Sequence, residues 1–308
     1  MKSLNSHFKR SRTQEAGATL LLAVWALLLL STAIMFWSRT VRQGILLSGE
    51  MYGDTEARAQ AHSGVAIGMH PLVTRETSLL TDYAAVDPGF HVRIISEGGK
   101  LNLNFLLNGE DPRKLEILKL WLQEKGLDFK DREHLVDCML DWIDPDNVKH
   151  LNGAEDSDDY HPLNRGQFLS IEELEEVKGA EALVSTSGWK DELTILSQGP
   201  IDVSSAEFSI LRLLPEMNEQ GIERFLIWRK GEDGIDGTKD DPKIEKLETV
   251  QLYLGLNQTQ WNALGGLIMP KDNTWRIISE GHSGKVVRQV EVVVHKGGAN
   301  PQIVFWKE

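Results

Sequence analysis

The chain has 308 residues, 41% of them hydrophobic and 26% charged, a balance that builds a folded body rather than a disordered one. Its formal net charge is −13; residues 1–50 hold six basic residues against two acidic ones, so that end carries +4 and the rest carries −17. A body that acidic repels phosphate backbones, which argues against nucleic acid as a partner, and the single cysteine, Cys138, excludes an internal disulfide framework and a Cys-rich zinc site.

From Ala18 to Trp37 there is no charged side chain. About 20 helical residues at about 1.5 Å each match a hydrocarbon core of about 30 Å, so residues 18–37 are read as a transmembrane span. Lys9, Arg10 and Arg12 precede it, which keeps that end in the cytoplasm and sends the acidic head across the membrane. Three readings of this end compete. A cleaved secretory signal has a weak small-residue site at Ser31-Thr32-Ala33, but apolar residues run on to Trp37. An uncleaved anchor is the plain reading. The third looks before the span: Gly17-Ala18-Thr19-Leu20-Leu21-Leu22 resembles the cleavage region of type IV pilins and pseudopilins, where a prepilin peptidase cuts after the glycine. Residues 1–17 are then a leader and the mature chain begins at Ala18. Most of that family carries Glu as the fifth mature residue, and here the position is Leu22. A glutamate in a membrane helix is costly and needs a partner; this chain has none to neutralise there.

Beyond the span, Ala57, Ala61, Gly64, Val65 and Gly68 form a stripe of small residues on one helical face, and Pro71 is a natural stop. The spacing predicts a spine helix over 18–70, half in lipid and half packed against a sheet. A break into two helices near Gly44 or Gly49 is the competing reading.

Residues 88–104 alternate around Gly98-Gly99 and predict a β-hairpin. The segment Arg93-Ile-Ile-Ser-Glu-Gly98 recurs verbatim as Arg276-Ile-Ile-Ser-Glu-Gly281, within a second predicted hairpin over 274–294, and Ile303–Trp306 predicts a last strand. The simplest architecture is α+β: the spine helix packed on one antiparallel sheet made by residues 71–104 and 269–308, with residues 105–268 inserted as an α-helical subdomain. Within the insertion, Asp111-Pro112 opens a helix through Leu115, Leu118, Leu120, Trp121 and Leu122 that closes at Gly126. Further helices are predicted over 134–143, after the Ser170-x-x-Glu173 capping box, over 206–214 and over 222–229. The order glycine, short strand, helix, turn, helix occurs from Gly99 to Trp142 and from Gly199 to Trp228, and resembles a helix-hairpin-helix repeat. Its second turn, Leu214 to Glu219, is acidic and lacks glycine, so it reads as scaffold rather than a phosphate cradle.

The most chemically loaded stretch is Asp141, Asp144, Asp146 and Asn147, followed by Glu155, Asp156, Asp158 and Asp159. Like charges at this density repel unless a cation or basic side chain intervenes. Calcium takes six to eight oxygens from flexible loops, and Asp144-Pro145-Asp146 sets carboxylates two residues apart on a stiffened loop. The glycine and glutamate of an EF-hand loop are missing. A cation site and a solvated acidic loop are both compatible with this spacing. A second, weaker candidate is Asp233, Asp236, Asp240 and Asp241 among glycines, equally a turn-rich surface loop. There is no Gly-x-Ser-x-Gly, His-Glu-x-x-His or P-loop motif, so no catalytic residue is assigned and the chain reads as a non-enzyme. His134 and His150, near the acidic loop, read as structural or exposed.

Taken together, Leu135-Val-Asp-x-x-Leu140-Asp-Trp-Ile-Asp144, Gly153-Ala-Glu-Asp156, Tyr160, and Asn164-Arg-Gly-Gln-Phe168 running to Gly179 resemble the K-type minor pseudopilin of type II secretion. The resemblance implies a pilin-like fold with a helical insertion that binds calcium. It implies an inner-membrane, single-pass protein with a periplasmic head, placed at the pseudopilus tip with the I- and J-type subunits to initiate or cap the filament. Leu22 fits that class. The chain departs from the family at Ser157-Asp158-Asp159-Tyr160, where tandem tyrosines are usual, and at Asp202-Val203-Ser204-Ser205. A membrane-anchored periplasmic protein of other role, such as a hydrolase, is the competing reading.

Overall fold

The computed structural model describes residues 7–73, 80–81, 83–297 and 300–308, without the side chains of 7–16, 46, 47 and 50. The first six leader residues therefore lie outside the described residues, as do the side chains of Lys9, Arg10 and Arg12.

Helix α1 runs unbroken over His7–Met69, about 95 Å at 1.5 Å per residue. Gly44 and Gly49 do not break it; a glycine inside a helix costs only about 1 kcal/mol relative to alanine. Residues Gly17–Ile45 form a stretch long and apolar enough to cross a membrane, with a mean hydropathy of 2.3 and Arg39 and Arg42 near its end, and none of it is buried by the rest of the chain. The helix ends two residues before Pro71, as predicted.

After α1 come β1 (Gly89–Ser96), β2 (Leu101–Asn102), α2 (Leu103–Leu107), α3 (Pro112–Glu124), α4 (Phe129–Ile143), α5 (Glu181–Val184), β3 (Leu193–Thr194) and β4 (Ile201–Asp202). Then follow α6 (Phe208–Leu211), α7 (Glu219–Arg229), α8 (Leu247–Leu254), α9 (Gln258–Ala263), β5 (Ile268–Met269), β6 (Thr274–Ser283), β7 (Val286–His295) and β8 (Gln302–Lys307). The main sheet has the order β1-β6-β7-β8, every pair antiparallel. α1 lies across it, burying Ala61 and Val65 against Phe90, Val92, Ile277, Val290, Val292 and Val294.

The small-residue stripe sets how close helix and sheet come. A side chain at Gly281 would begin 2.1 Å from the Ala57 carbonyl oxygen and 2.2 Å from the Ala61 nitrogen. At Gly64 it would begin 2.2 Å from Ser279 Oγ. Helix backbone and strand backbone touch, and glycine on both sides permits it.

The two copies of the repeated hexapeptide lie side by side. β1 and β6 pair so that Arg93 faces Ile278, Ile94 faces Ile277 and Ile95 faces Arg276. The hairpin predicted over 88–104 does not form, because β1 takes β6 as its partner and β2 pairs in parallel with β3. Gly98 and Gly99 serve close packing instead of a turn. A Cβ at Gly98 would sit 2.2 Å from Asp272 Cβ, and one at Gly99 would sit 2.8 Å from the Ser205 carbonyl oxygen. The 274–294 hairpin does form, turning at Gly284 with φ of 57°, and β8 completes the sheet.

Glu97 fastens this sheet to the helical insertion. Its carboxylate is fully buried, 2.6 Å from Arg276 Nε and 3.3 Å from Lys100 Nζ, and Thr194 donates its hydroxyl to it. Arg276 also pairs with Glu291. Burial pushes the Glu97 carboxyl up, but the hydrogen bond from Arg276 and the charges of Lys100 and Arg276 outweigh it and hold the group below its ordinary value.

The insertion has its own core, built around Trp121, Met139, Phe168, Trp189 and Phe225. α3 starts where predicted, with Asp111 capping Arg113 N at 2.9 Å. The helix expected over 206–214 shrinks to the single turn α6, and the Ser170 segment winds as a short 3-10 turn over Ile171–Glu175. There Ser170 Oγ accepts from Glu172 N, and Glu173 accepts from Leu169 N rather than from the cap residue.

Candidate metal centre

The acidic stretch begins inside α4 and continues past its end. Asp128 caps the helix, accepting from Asp131 N at 2.9 Å, and the apolar period then buries Leu135, Val136, Met139 and Leu140. This periodicity carries Asp141 inward with them, fully buried. The helix stops at Ile143. Its last carbonyls are taken by the Asn164-Arg-Gly segment, with Asn164 N on Trp142 O at 3.0 Å and Gly166 N on Ile143 O at 2.6 Å. Phe168 is held in turn by Asn104, which exchanges two hydrogen bonds with its backbone, 2.8 and 2.9 Å.

The loop beyond folds back over α4. Asp137 accepts from Asn152 N and Nδ2 at 2.9 and 3.0 Å. Asp141 accepts from His150 N at 3.0 Å and also bonds the His150 ring at Nδ1. Gly153 lies directly over Asp141, where a Cβ would be 1.8 Å from Oδ2. The fold thus brings one ligand atom each from Asp141, Asp144 and His150 within 4.8 Å of one another, and likewise Asp144, Asp146 and Glu155. Asp144 is common to both groups.

These carboxylates are poorly served by the protein itself. Asp141 Oδ2, Asp144 Oδ1 and both oxygens of Glu155 are buried without a hydrogen-bond partner. Burial, followed by the charges of Asp146 and Asp141, pushes the Asp144 carboxyl above its ordinary value. Burial, with Asp141, Asp144 and Asp146 nearby, does the same to Glu155. His150 is raised as well: burial opposes its charge, but the hydrogen bond and charge of Asp141 and the approach of Glu110 prevail. The carboxylates of Asp141, Asp144, Asp146 and Glu155, with orphaned buried lone pairs among them, form an oxygen donor set that fits a hard divalent cation such as calcium, while the His150 ring beside them is already bonded to Asp141.

Two predicted residues fall outside this cluster. Asp156 is exposed and bonds His161 at 2.6 Å, and Asp159 is exposed. A short β-bridge between Ser157 and Tyr160 closes a surface turn that contains Asp159. Conversely, His150 sits at the heart of the cluster, where the sequence reading left it structural or exposed. Its signal was a lone basic-capable residue six positions after Asp144.

The second candidate is a different kind of loop. Asp233, Asp240 and Asp241 offer oxygens within 4.8 Å of one another. Yet Asp240 accepts from Thr238 Oγ1 and from the backbone N–H groups of Glu232 and Asp233, which lowers its carboxyl to about 2. Asp241 accepts from Gly237 N and Thr238 N, and Asp236 pairs with Arg229 at 3.2 Å. These carboxylates organise a turn with their own backbone, and Asp236 stands apart from the other three.

Residues 99–186, which hold the whole primary cluster, match the family model described as type II secretion system (T2SS), protein K. Over these residues the chain is similar to the protein K family of type II secretion. The type II secretion system protein K of Dickeya chrysanthemi is 32% identical over 73 residues, or 23% of this chain and 20% of that protein. The chain thus aligns with about a fifth of the length of that curated relative. The solved GspK-GspI-GspJ complex of the enterotoxigenic Escherichia coli type 2 secretion system contains a chain with the same fold. The TM-score is 0.58 at 14% identity, covering 87% of this chain and 98% of that one. The α+β architecture of the chain is shared with that solved chain.

Proposed function

We propose that this chain is a minor pseudopilin of the type II secretion system, acting as a non-enzymatic assembly protein at the tip of the periplasmic pseudopilus. One observation carries the reading: a single chain joins a membrane-length helix lying on an antiparallel sheet to a helical insertion that matches protein K. In this reading α1 is anchored once in the inner membrane through residues 18–37, with the head in the periplasm. Prepilin peptidase removes residues 1–17 by cutting between Gly17 and Ala18. The partners are the I- and J-type minor pseudopilins, the subunits whose counterparts accompany GspK in the solved complex. Leu22 supplies no acid to pair with a neighbour's amine, and the insertion adds bulk beside the sheet. Both properties suit a subunit that starts or caps a filament rather than one repeated along it.

Calcium is the proposed cofactor, held by Asp141, Asp144, Asp146 and Glu155. It would supply the positive charge that the four carboxylates lack and lock the loop onto α4. The orphaned oxygens support this reading. Asp233, Asp240 and Asp241 form a second, weaker position.

The test is intact-mass spectrometry of the protein from cells with and without prepilin peptidase. A mature N-terminus at Ala18 in the first and Met1 in the second is expected; Met1 in both would remove the pilin-type processing.

A further inference from the structure

On the far side of the Asn152–Ser157 segment from Asp141 lies an open groove of about 530 Å³. Its wall includes Lys130 at the start of α4, Lys149 from the acidic loop, Lys178 from the segment before α5, and His134. All three lysines are exposed, and none makes an ion pair among the described residues. Three ammonium groups without a carboxylate partner around one groove, Lys178 also lying 5.9 Å from the centre of the Tyr160 ring, make a local basic cluster on a chain that is strongly acidic overall.

Such a cluster repels itself unless an anion sits among the charges. The carboxylates within the wall are Glu155, turned into the acidic cluster, and Asp156, engaged by His161. The groove is far larger than one carboxylate needs. Val148 and Leu151, close to Lys149 in sequence and outside the groove wall itself, are 72% and 93% exposed. Lysines in a wide groove next to exposed aliphatic side chains fit a ligand with several carboxylates on an extended chain and apolar residues between them. We infer that the Lys130–Lys149–Lys178 groove binds an acidic, partly apolar polypeptide segment. This holds whether or not the chain is a pseudopilin.

The test uses the full chain in neutral detergent at low salt, where surface charge is least screened. The probes are a blocked pentapeptide Glu-Leu-Glu-Leu-Glu, its Gln-Leu-Gln-Leu-Gln counterpart, and sulfate, each titrated with chelator present and followed by isothermal calorimetry. Expected is binding of the glutamate peptide, with the glutamine peptide at least tenfold weaker and sulfate unable to displace it at equal concentration. Expected too is a tenfold or greater loss in Lys149→Gln/Lys178→Gln, exposed positions that hold no ion pair among the described residues, with the melting temperature of the double variant measured alongside because Lys178 also lies over the Tyr160 ring. Equal affinity for the two peptides, no loss in the double variant, or displacement by equimolar sulfate would overturn the inference. Because chelator is present throughout, failure here leaves the calcium proposal untouched, and failure of that proposal leaves this result standing.

Discussion

Gly281 decides how close α1 can lie to the sheet. Replacing it by alanine puts a methyl group into the backbone of α1 at Ala57 and Ala61. Overpacking of this kind costs about 1–3 kcal/mol, so Gly281→Ala is expected to lower the urea midpoint of the detergent-solubilised chain. An unchanged midpoint would mean that helix and sheet are not in this contact. Glu97 is the second residue on which the fold turns. Its folded-state carboxyl titrates below the unfolded one, so it contributes stability above the ordinary carboxylate range and loses it as pH falls through the lowered value. Glu97→Gln leaves Arg276 and Lys100 short of a buried charge. A loss of about 3–5 kcal/mol near neutral pH is expected, with a shallower decline of stability below pH 4.5 than in the parent, measured by denaturation at several pH values. Neither role was visible residue by residue. The same hexapeptide occurs twice, yet Arg93 is an exposed side chain 4.0 Å from Glu280, whereas Arg276 closes a buried network. Identical local sequence cannot distinguish an edge from an inner strand.

At the scale of elements, the helices with strong local signals were legible. Asp111-Pro112 caps α3, and the small-residue stripe on α1 finds its sheet. The hairpin around Gly98-Gly99 was misread because a glycine pair serves a tight turn and a close backbone approach equally well. The acidic loop was legible as a cluster but not in membership. Alternation along the chain cannot show that Asp156 and Asp159 turn outward or that His150 turns in. The loop's chemistry separates a cation site from a solvated loop through Glu155. With chelator, Glu155→Gln removes one of several crowded like charges and is expected to match or exceed the parent in stability. With calcium at about 100 times its Kd, the parent is expected to gain about 2.7 kcal/mol and the variant little of it. Equal calcium responses from both proteins would place the ion elsewhere, and no response from either would leave a loop without a metal.

For the molecule as a whole, the spine, the antiparallel sheet from two distant segments and the helical insertion between them could all be anticipated. The apolar run, the repeated strand sequence and the amphipathic helices each carry a period that survives without tertiary context. The fastening of insertion to sheet could not be anticipated. It depends on residues nearly 180 positions apart in sequence, Glu97 and Arg276, meeting in a buried site. That fastening matters to the proposed role, because a tip subunit must present its insertion in a fixed attitude to its neighbours. The central claim, a minor pseudopilin that works with the I- and J-type subunits, is tested most directly by co-expression of the three full chains and affinity purification through this one. A complex containing both other pseudopilins, stable through size-exclusion chromatography in detergent, is the expected result. Recovery of this chain alone, with both of the others expressed and folded, would contradict it.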